Sequence, residues 1–161
     1  MNIFVLGQDL ELCAQHHCDQ HVSRMIPRYV QILSTASYRR GFDTPCVPTY
    51  AEHPCVTWAQ ESFDNFLWLK DLTLLLNDEY RYRFDHEDDH CAIKTLQSLS
   101  SHRFERHGLT PFAQVMPDRY KDPHDPVGAY RNFYIADNLA YARWSLRDTP
   151  DWIMPGLSAI A

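Results

Sequence analysis

Apolar residues recur every three or four positions over most of this chain, and almost nowhere do they alternate. From about Leu10 to Arg40, Val22, Met25, Ile26, Val30 and Leu33 fall at the spacing of one helical face. Pro27 lies inside that run and predicts a kink, because its ring clashes with the carbonyl four residues back. The segment GFDTPCVPTYAEHP (41–54) carries three prolines and predicts a loop. The strongest helical pattern is PCVTWAQESFDNFLWLKDLTLLLNDEYRYRF (54–84). Pro54 suits its first position, and Ala59, Phe63, Phe66, Leu67, Leu74 and Tyr80 form a broad apolar face. A shorter helix is predicted from Cys91 to Ser101 through Ile93, Leu96 and Leu99. Residues 110–126 are proline-punctuated and irregular. Asp125 and Pro126 then read as the N-cap and first position of a final helix reaching about Arg147, with Val127, Tyr130, Phe133, Tyr134 and Tyr141 at helical spacing. NIFVL at the start reads as a short extended segment, and residues 148–161 as a wrapping tail. No strand pair is evident. The prediction is one compact all-α domain over residues 1–161, built from three main helices with the first one kinked.

Composition adds bounds to this picture. A chain of 161 residues holds one real core, and 45% hydrophobic with 22% charged residues is ordinary for a soluble globule. No apolar stretch approaches the length of a membrane span. MNIFVLGQDLELC lacks the basic start and long apolar run of a secretory signal. With an odd count of five cysteines, the expected setting is a reducing cytoplasm with free thiols. Five glycines leave little room for phosphate loops rich in glycine. The net charge of −6 works against nucleic acid as a partner. That charge is uneven, however: Ser23 to Arg40 holds four arginines and no acid, while His86 to His90 reads HEDDH.

The candidate chemistry begins with CAQHHCDQH (13–21). On one continuous helix Cys13, His17 and His21 stand at i, i+4 and i+8, about 40° apart per step, and so share a face. Thiolate and imidazole are zinc ligands, and three on one face leave an open fourth position. The competing reading is that these groups pack and hydrogen-bond, because no second half of a metal motif exists elsewhere. HEDDHC (86–91) reads as an acidic solvated loop after a long helix. No serine or cysteine sits in a recognisable nucleophile motif. Amine nucleophiles are limited to Lys70, Lys94, Lys121 and the α-amine of Met1; an ordinary α-amine keeps a useful neutral fraction at physiological pH. In AYRNFYIADNLAYARW the tyrosines at 130, 134 and 141 serve the core. Alternatively they stack on an unpaired base, with Arg131 or Arg143 on phosphate.

Two resemblances follow. HHCDQHVSRM, QILSTA, EHPCVTWAQES, NFLWL, NDEYRYRF, VMPDRYK, DPVGAYRNFY and RWSLRDTPDW, in this order over nearly the whole chain, resemble a family of small tailed-phage proteins of poorly defined function. More distantly, DQH, the proline-bearing helix, PTY, HP.VTW leading a long helix and a terminal TP.W resemble phage pyrimidine-dimer DNA glycosylases of the endonuclease V type. That resemblance implies a compact all-α scaffold that bends DNA, extrudes a base and attacks it with an N-terminal amine. It also implies an essential glutamate seven residues after the DQH histidine. Here that position is Arg28, which is no carboxylate. Asn2 is too large for routine methionine removal, so the exposed amine would be that of Met1. The aromatic-rich ending is replaced by DWIMPGLSAIA.

These readings converge on double-stranded DNA as partner, no cofactor and a monomer. Met1 and His21 are the candidate catalytic residues, with Asp118 as substitute carboxylate and Glu61 as a second candidate for that role. Gln20, Arg24, Arg28 and Gln31 would line one side of a DNA site, and Tyr120, Tyr130, Arg131 and Tyr134 the other. His53 is expected to cap the long helix. Two alternatives stay open: a non-catalytic DNA-binding descendant of the scaffold, and a small metal-binding or interaction protein using Cys13, His17 and His21.

Overall fold

Four of the six α-helices among the described residues start at side chains that capture an orphan backbone N–H group. The computed structural model describes residues 1–153. Asp9 begins α1 (Leu10–His16) by accepting the Leu12 N–H at 2.9 Å. At His17 and Cys18 the backbone becomes extended, with ψ of 132° and 162°, before α2 (Asp19–Arg39) starts. The first predicted helix is therefore two. α2 continues through Pro27, which is exposed.

The predicted helix over 54–84 is likewise divided. α3 (Pro54–Glu61) starts at His53, whose Nδ1 accepts the Cys55 N–H at 3.1 Å. Ser62 is extended (φ −142°, ψ 141°) and caps α4 (Phe63–Phe84) through the Asp64 N–H. The break is filled by the loop that follows α5 (Ile93–Ser98). Asn65 donates to the Trp58 carbonyl at 2.8 Å and accepts the Thr110 N–H at 2.9 Å, while Ser62 accepts the His107 N–H. ESFDN thus trades helical continuity for a seat under residues 105–110. Asp125 caps α6 (Pro126–Asn138) as predicted, but the helix stops at Asn138 rather than near Arg147. Single 3-10 turns lie at Asp118–Tyr120 and Asp151–Ile153. Among the described residues the protein is all-helical, with six α-helices where three main ones and a shorter one were expected. The long ones pack as α2 on α4, with α1 also against α4 and α3 against both.

Through this layer runs the N-terminal segment. Ile3, Phe4, Val5 and Leu6 are all buried, yet no strand among the described residues pairs with them. A buried amide without a partner costs on the order of 1–3 kcal/mol, so side chains take the place of a sheet. Tyr29 accepts the Phe4 N–H at 3.0 Å, and the Cys13 sulfur accepts the Leu6 N–H at 3.3 Å. The Leu6 carbonyl accepts from the Arg131 Nε at 3.0 Å, and the His16 Nδ1, which also faces the Trp152 indole N–H at 3.2 Å, lies 3.1 Å from it.

The C-terminal end of α1 raises the same problem, since its last carbonyls have no helical donors. Buried Arg83 donates to the carbonyls of Gln15 at 2.7 Å and His17 at 2.8 Å, and the Trp144 indole donates to that of His16 at 3.0 Å. Glu79 holds Arg83 at 2.7 Å and Arg147 at 2.7 Å. Asp19 accepts the Ser145 N–H at 2.9 Å. The segment after Asn138 leaves the helical path to reach this junction, which is why α6 is short.

The Tyr29 hydroxyl links two buried groups, so Tyr29→Phe should cost about 1–3 kcal/mol although no carbon is removed. Urea unfolding should show a lower midpoint at constant slope. An unchanged midpoint would mean that the hydroxyl does not carry the Phe4 amide.

Candidate functional site

The histidine and cysteine cluster at 13–21 resolves into two parallel hydrogen-bond relays. In the first, the His17 Nδ1–H donates to the Cys13 carbonyl at 2.8 Å, so Nε2 accepts from the Tyr29 hydroxyl at 3.3 Å. Tyr29 in turn accepts the Phe4 N–H. In the second, Tyr134 accepts the Cys18 N–H at 2.9 Å and donates to the His21 Nδ1 at 2.8 Å. These partners assign the proton to Nδ1 in His17 and to Nε2 in His21. His21 also stacks on Phe4 at 4.7 Å between ring centroids.

This arrangement corrects the metal reading. The helix breaks between His17 and Asp19, so Cys13, His17 and His21 do not form one helical face. Each is engaged with protein instead. Burial pushes the Cys13 thiol up to about 11, which keeps it protonated and unsuited to ligation. Among the described residues no group of three His, Cys, Asp or Glu side chains is placed to hold a metal ion.

What remains open to solvent is one face of α2 and the loop beyond it. Arg24 and Arg28 are exposed one turn apart, with Gln20 and Gln31 in the same stripe. Neither arginine forms an ion pair among the described residues. His21 lies close enough for both to act on it: burial first, then Arg28 and Arg24, lowers its pKa to about 4. Beside Arg28 is a cleft of about 460 Å³ lined by Met1, Pro27, Arg28, Gln31, Thr49, Tyr50 and His53. The buried path of residues 3–6 fixes Met1 there. The Met1 amine stands near His53, where burial and then the amine's charge lower the imidazole pKa. Gln31 is partly committed, its amide donating to the Val47 carbonyl at 3.2 Å and to Thr35 at 3.1 Å.

The second side of the predicted DNA site does not assemble. Tyr130 and Tyr134 are fully buried and have no face free for a base. Tyr130 donates to the Ala113 carbonyl at 2.5 Å, which makes it a core strut. Arg131 is turned inward to the Leu6 carbonyl, with Trp152 5.3 Å over its guanidinium. Tyr120 packs on Phe133 at the outer side of α6. The Asp118 side chain is 95% exposed and paired with Lys121 at 2.8 Å, and it does not line the cleft. Glu61 accepts from Thr110 at the α3–α4 break and is equally absent from it. The candidate site therefore keeps Met1, Arg28 and Gln31, with Gln20 and Arg24 along its approach and His21 beneath. His53, expected as a cap, is both cap and wall. Thr49 and Tyr50 were not among the candidate site residues, and the signals for them were the PTY of the resemblance and the proline density of DTPCVPTYAEHP (43–54), with Pro45, Pro48 and Pro54. Comparison of the chain with protein-family models, with curated proteins and with solved structures returns no match.

The relays fix a pH response. Burial lowers the pKa of His17 to about 3 and that of His21 to about 4, from an ordinary value of 6.5. Between these limits the unfolded chain holds more protons than the folded one. Stability is therefore full above pH 6.5 and falls as pH drops toward 4, with a slope approaching about 1.4 kcal/mol per pH unit for each histidine. Urea unfolding at pH 7, 6 and 5 measures the slope, and imidazole nitrogen NMR reads the two tautomers directly. Protonation of His17 near 6.5 in the folded protein would refute the relay.

Proposed function

We propose that this chain is a DNA-binding protein of the tailed-phage family it resembles, recognising an extruded pyrimidine base at the Met1–Arg28 cleft. The observation that carries this reading is the meeting of Met1, Arg28 and His53 around one opening. The glycosylase resemblance makes the N-terminal amine the attacking group and the position of Arg28 its essential partner, and both line this cleft. The exposed stripe of Gln20, Arg24, Arg28 and Gln31 on α2 supplies a track for one strand of the phosphate backbone, where arginine is the favoured donor.

The same geometry limits the chemistry. Among the described residues no carboxylate lines the cleft. A guanidinium beside an ammonium attracts phosphate but does not stabilise the cationic sugar that forms as a glycosidic bond breaks. Excision of an intact base therefore lacks its acid group, and binding is the primary activity. At a lesion that is already abasic the amine has an electrophile without bond cleavage. The neutral Met1 amine would add to the C1′ aldehyde of the opened sugar and lose water to form an imine. Endonuclease V-like architecture, a monomeric state and a cytoplasmic setting in the host cell belong to this proposal.

The test is binding to duplexes carrying a thymine dimer, an abasic site or no lesion, between 50 and 200 mM salt. Affinity should fall steeply with salt, and Arg28→Ala should reduce the log–log slope by about 1. Arg28→Glu should weaken undamaged duplex further by repulsion. Borohydride should trap a secondary amine on the abasic duplex, mapped to Met1 by peptide mass. Absence of salt-dependent binding to all three duplexes would overturn the reading.

A further inference from the structure

The loop forming the outer wall of the cleft carries two side chains that a folded protein ordinarily hides. Val47 is 79% and Tyr50 74% exposed, and neither packs against the core. Tyr50 also has φ 52°, in the left-handed region. A bulky aromatic residue is poorly suited to that conformation, where glycine or asparagine is at ease. Such a residue persists only where its surroundings over-determine the backbone.

They do so here from both sides. Thr35, buried in α2, accepts the Thr49 N–H at 3.3 Å and donates to the Thr49 carbonyl at 3.3 Å. The Tyr50 carbonyl accepts the His53 N–H at 2.8 Å, closing a tight turn. The Ala51 carbonyl is held by Arg39, which also pairs with Glu52 at 3.4 Å. Pro48 and Pro54 stiffen the flanks. The loop is thus braced around a residue whose side chain contributes nothing to the core, and whose ring is presented at the mouth of a cleft holding Met1 and Arg28.

We propose that Tyr50 is the stacking platform for an unpaired nucleobase, held at the lip of the cleft while Arg28 takes the adjoining phosphate. The proposal rests on the DNA-binding reading and adds to it the residue that distinguishes an opened strand from a closed duplex. Charge selects the occupant: an aromatic face flanked by an ammonium and a guanidinium suits a base joined to phosphate, which offers a flat π surface and an anion together. An apolar peptide would satisfy the ring and leave both charges unmatched.

Binding of a 12-nucleotide single strand and of its fully paired duplex should be measured by anisotropy, with 2-aminopurine in the strand to report stacking. The proteins are wild type, Tyr50→Asn and Tyr50→Phe. Wild type should prefer the single strand and quench the 2-aminopurine. Tyr50→Asn should lose about tenfold in single-strand affinity together with the quenching. Its thermal midpoint should be unchanged or raised, because asparagine tolerates φ 52°. Tyr50→Phe should stay within about twofold of wild type, since the ring and not the hydroxyl is the platform. Equal affinity and quenching by Tyr50→Asn would overturn the stacking role and leave the cleft as a phosphate site. A lowered thermal midpoint in Tyr50→Asn would make the ring a fold element and overturn it as well. Failure of the wild type to bind either DNA would overturn both the platform and the function on which it rests.

Discussion

The rest of the structure depends on how Ile3–Leu6 is buried without a strand beside it. An extended segment in a core exposes a donor or an acceptor at each residue, and a helix packed nearby has no backbone groups left to offer. Only side chains can supply them. Tyr29 from α2, Cys13 from α1 and Arg131 from α6 do so, which obliges three helices to converge on one strip of chain. The broken α1–α2 junction imposes a second set of obligations, met by Arg83, Trp144 and Asp19. Together these two demands account for most of the polar residues that look chemically expressive in the sequence: HHCDQH, NDEYRYRF, AYRNFY and RWSLR are largely the partners of buried backbone.

This division of labour also defines the site. Once the relay histidines, the core tyrosines and the inward arginines are assigned to structure, the side chains of Arg24 and Arg28 on α2 and of Val47 and Tyr50 in the braced loop are left without a structural duty among the described residues. The first of these sits over His21, which must stay neutral for the second relay to hold, since the Tyr134 hydroxyl donates to its Nδ1. Arg24 and Arg28 reinforce that neutrality by Coulomb repulsion. The arginine face and the core relay are thus coupled: the cationic surface keeps the buried histidine uncharged, and the uncharged histidine spares the arginines a third positive neighbour.

Much of the fold was legible in the sequence, but its interruptions were not. The periodicity of Val22, Met25, Ile26, Val30 and Leu33 located α2, and Asp125-Pro126 located the start of α6, because burial of an apolar face and capping are local effects. The breaks at Cys18 and Ser62 are not local. Neither carries glycine or proline, and each exists because a distant segment takes up the freed backbone: Arg83 and Trp144 at the first, residues 105–110 at the second. The site was legible to the same degree. Met1, Arg28 and Gln31 were identified and are brought together, whereas Tyr130 and Tyr134, which periodicity read as core but which were also placed with Arg131 in the DNA site, are buried, and Arg131 donates to the Leu6 carbonyl. A tyrosine stripe at helical spacing fits either burial or display, and the deciding fact, that Leu6 and Cys18 require partners, is set by tertiary contact.

The densest acidic run of the chain lies away from the cleft, and the nearer Glu52 is paired with Arg39. The run from Asp85 to Asp89 follows α4 directly, at the end that Arg83 ties to Asp19 and the start of α2. Arg28 stands nine residues farther along α2, about 13 Å at the helical rise. That exceeds the Debye length of about 8 Å at physiological ionic strength, so for a ligand at the cleft mouth those carboxylates are largely screened while Arg28 and Met1 act at contact. Net charge governs encounter from afar, and the local set governs the bound state. A chain at −6 with such a cleft should meet a polyanion slowly and hold it by close contacts. Selectivity then rests on what the cleft touches, which is the reason a rigid aromatic at its lip counts for more here than an additional basic residue would.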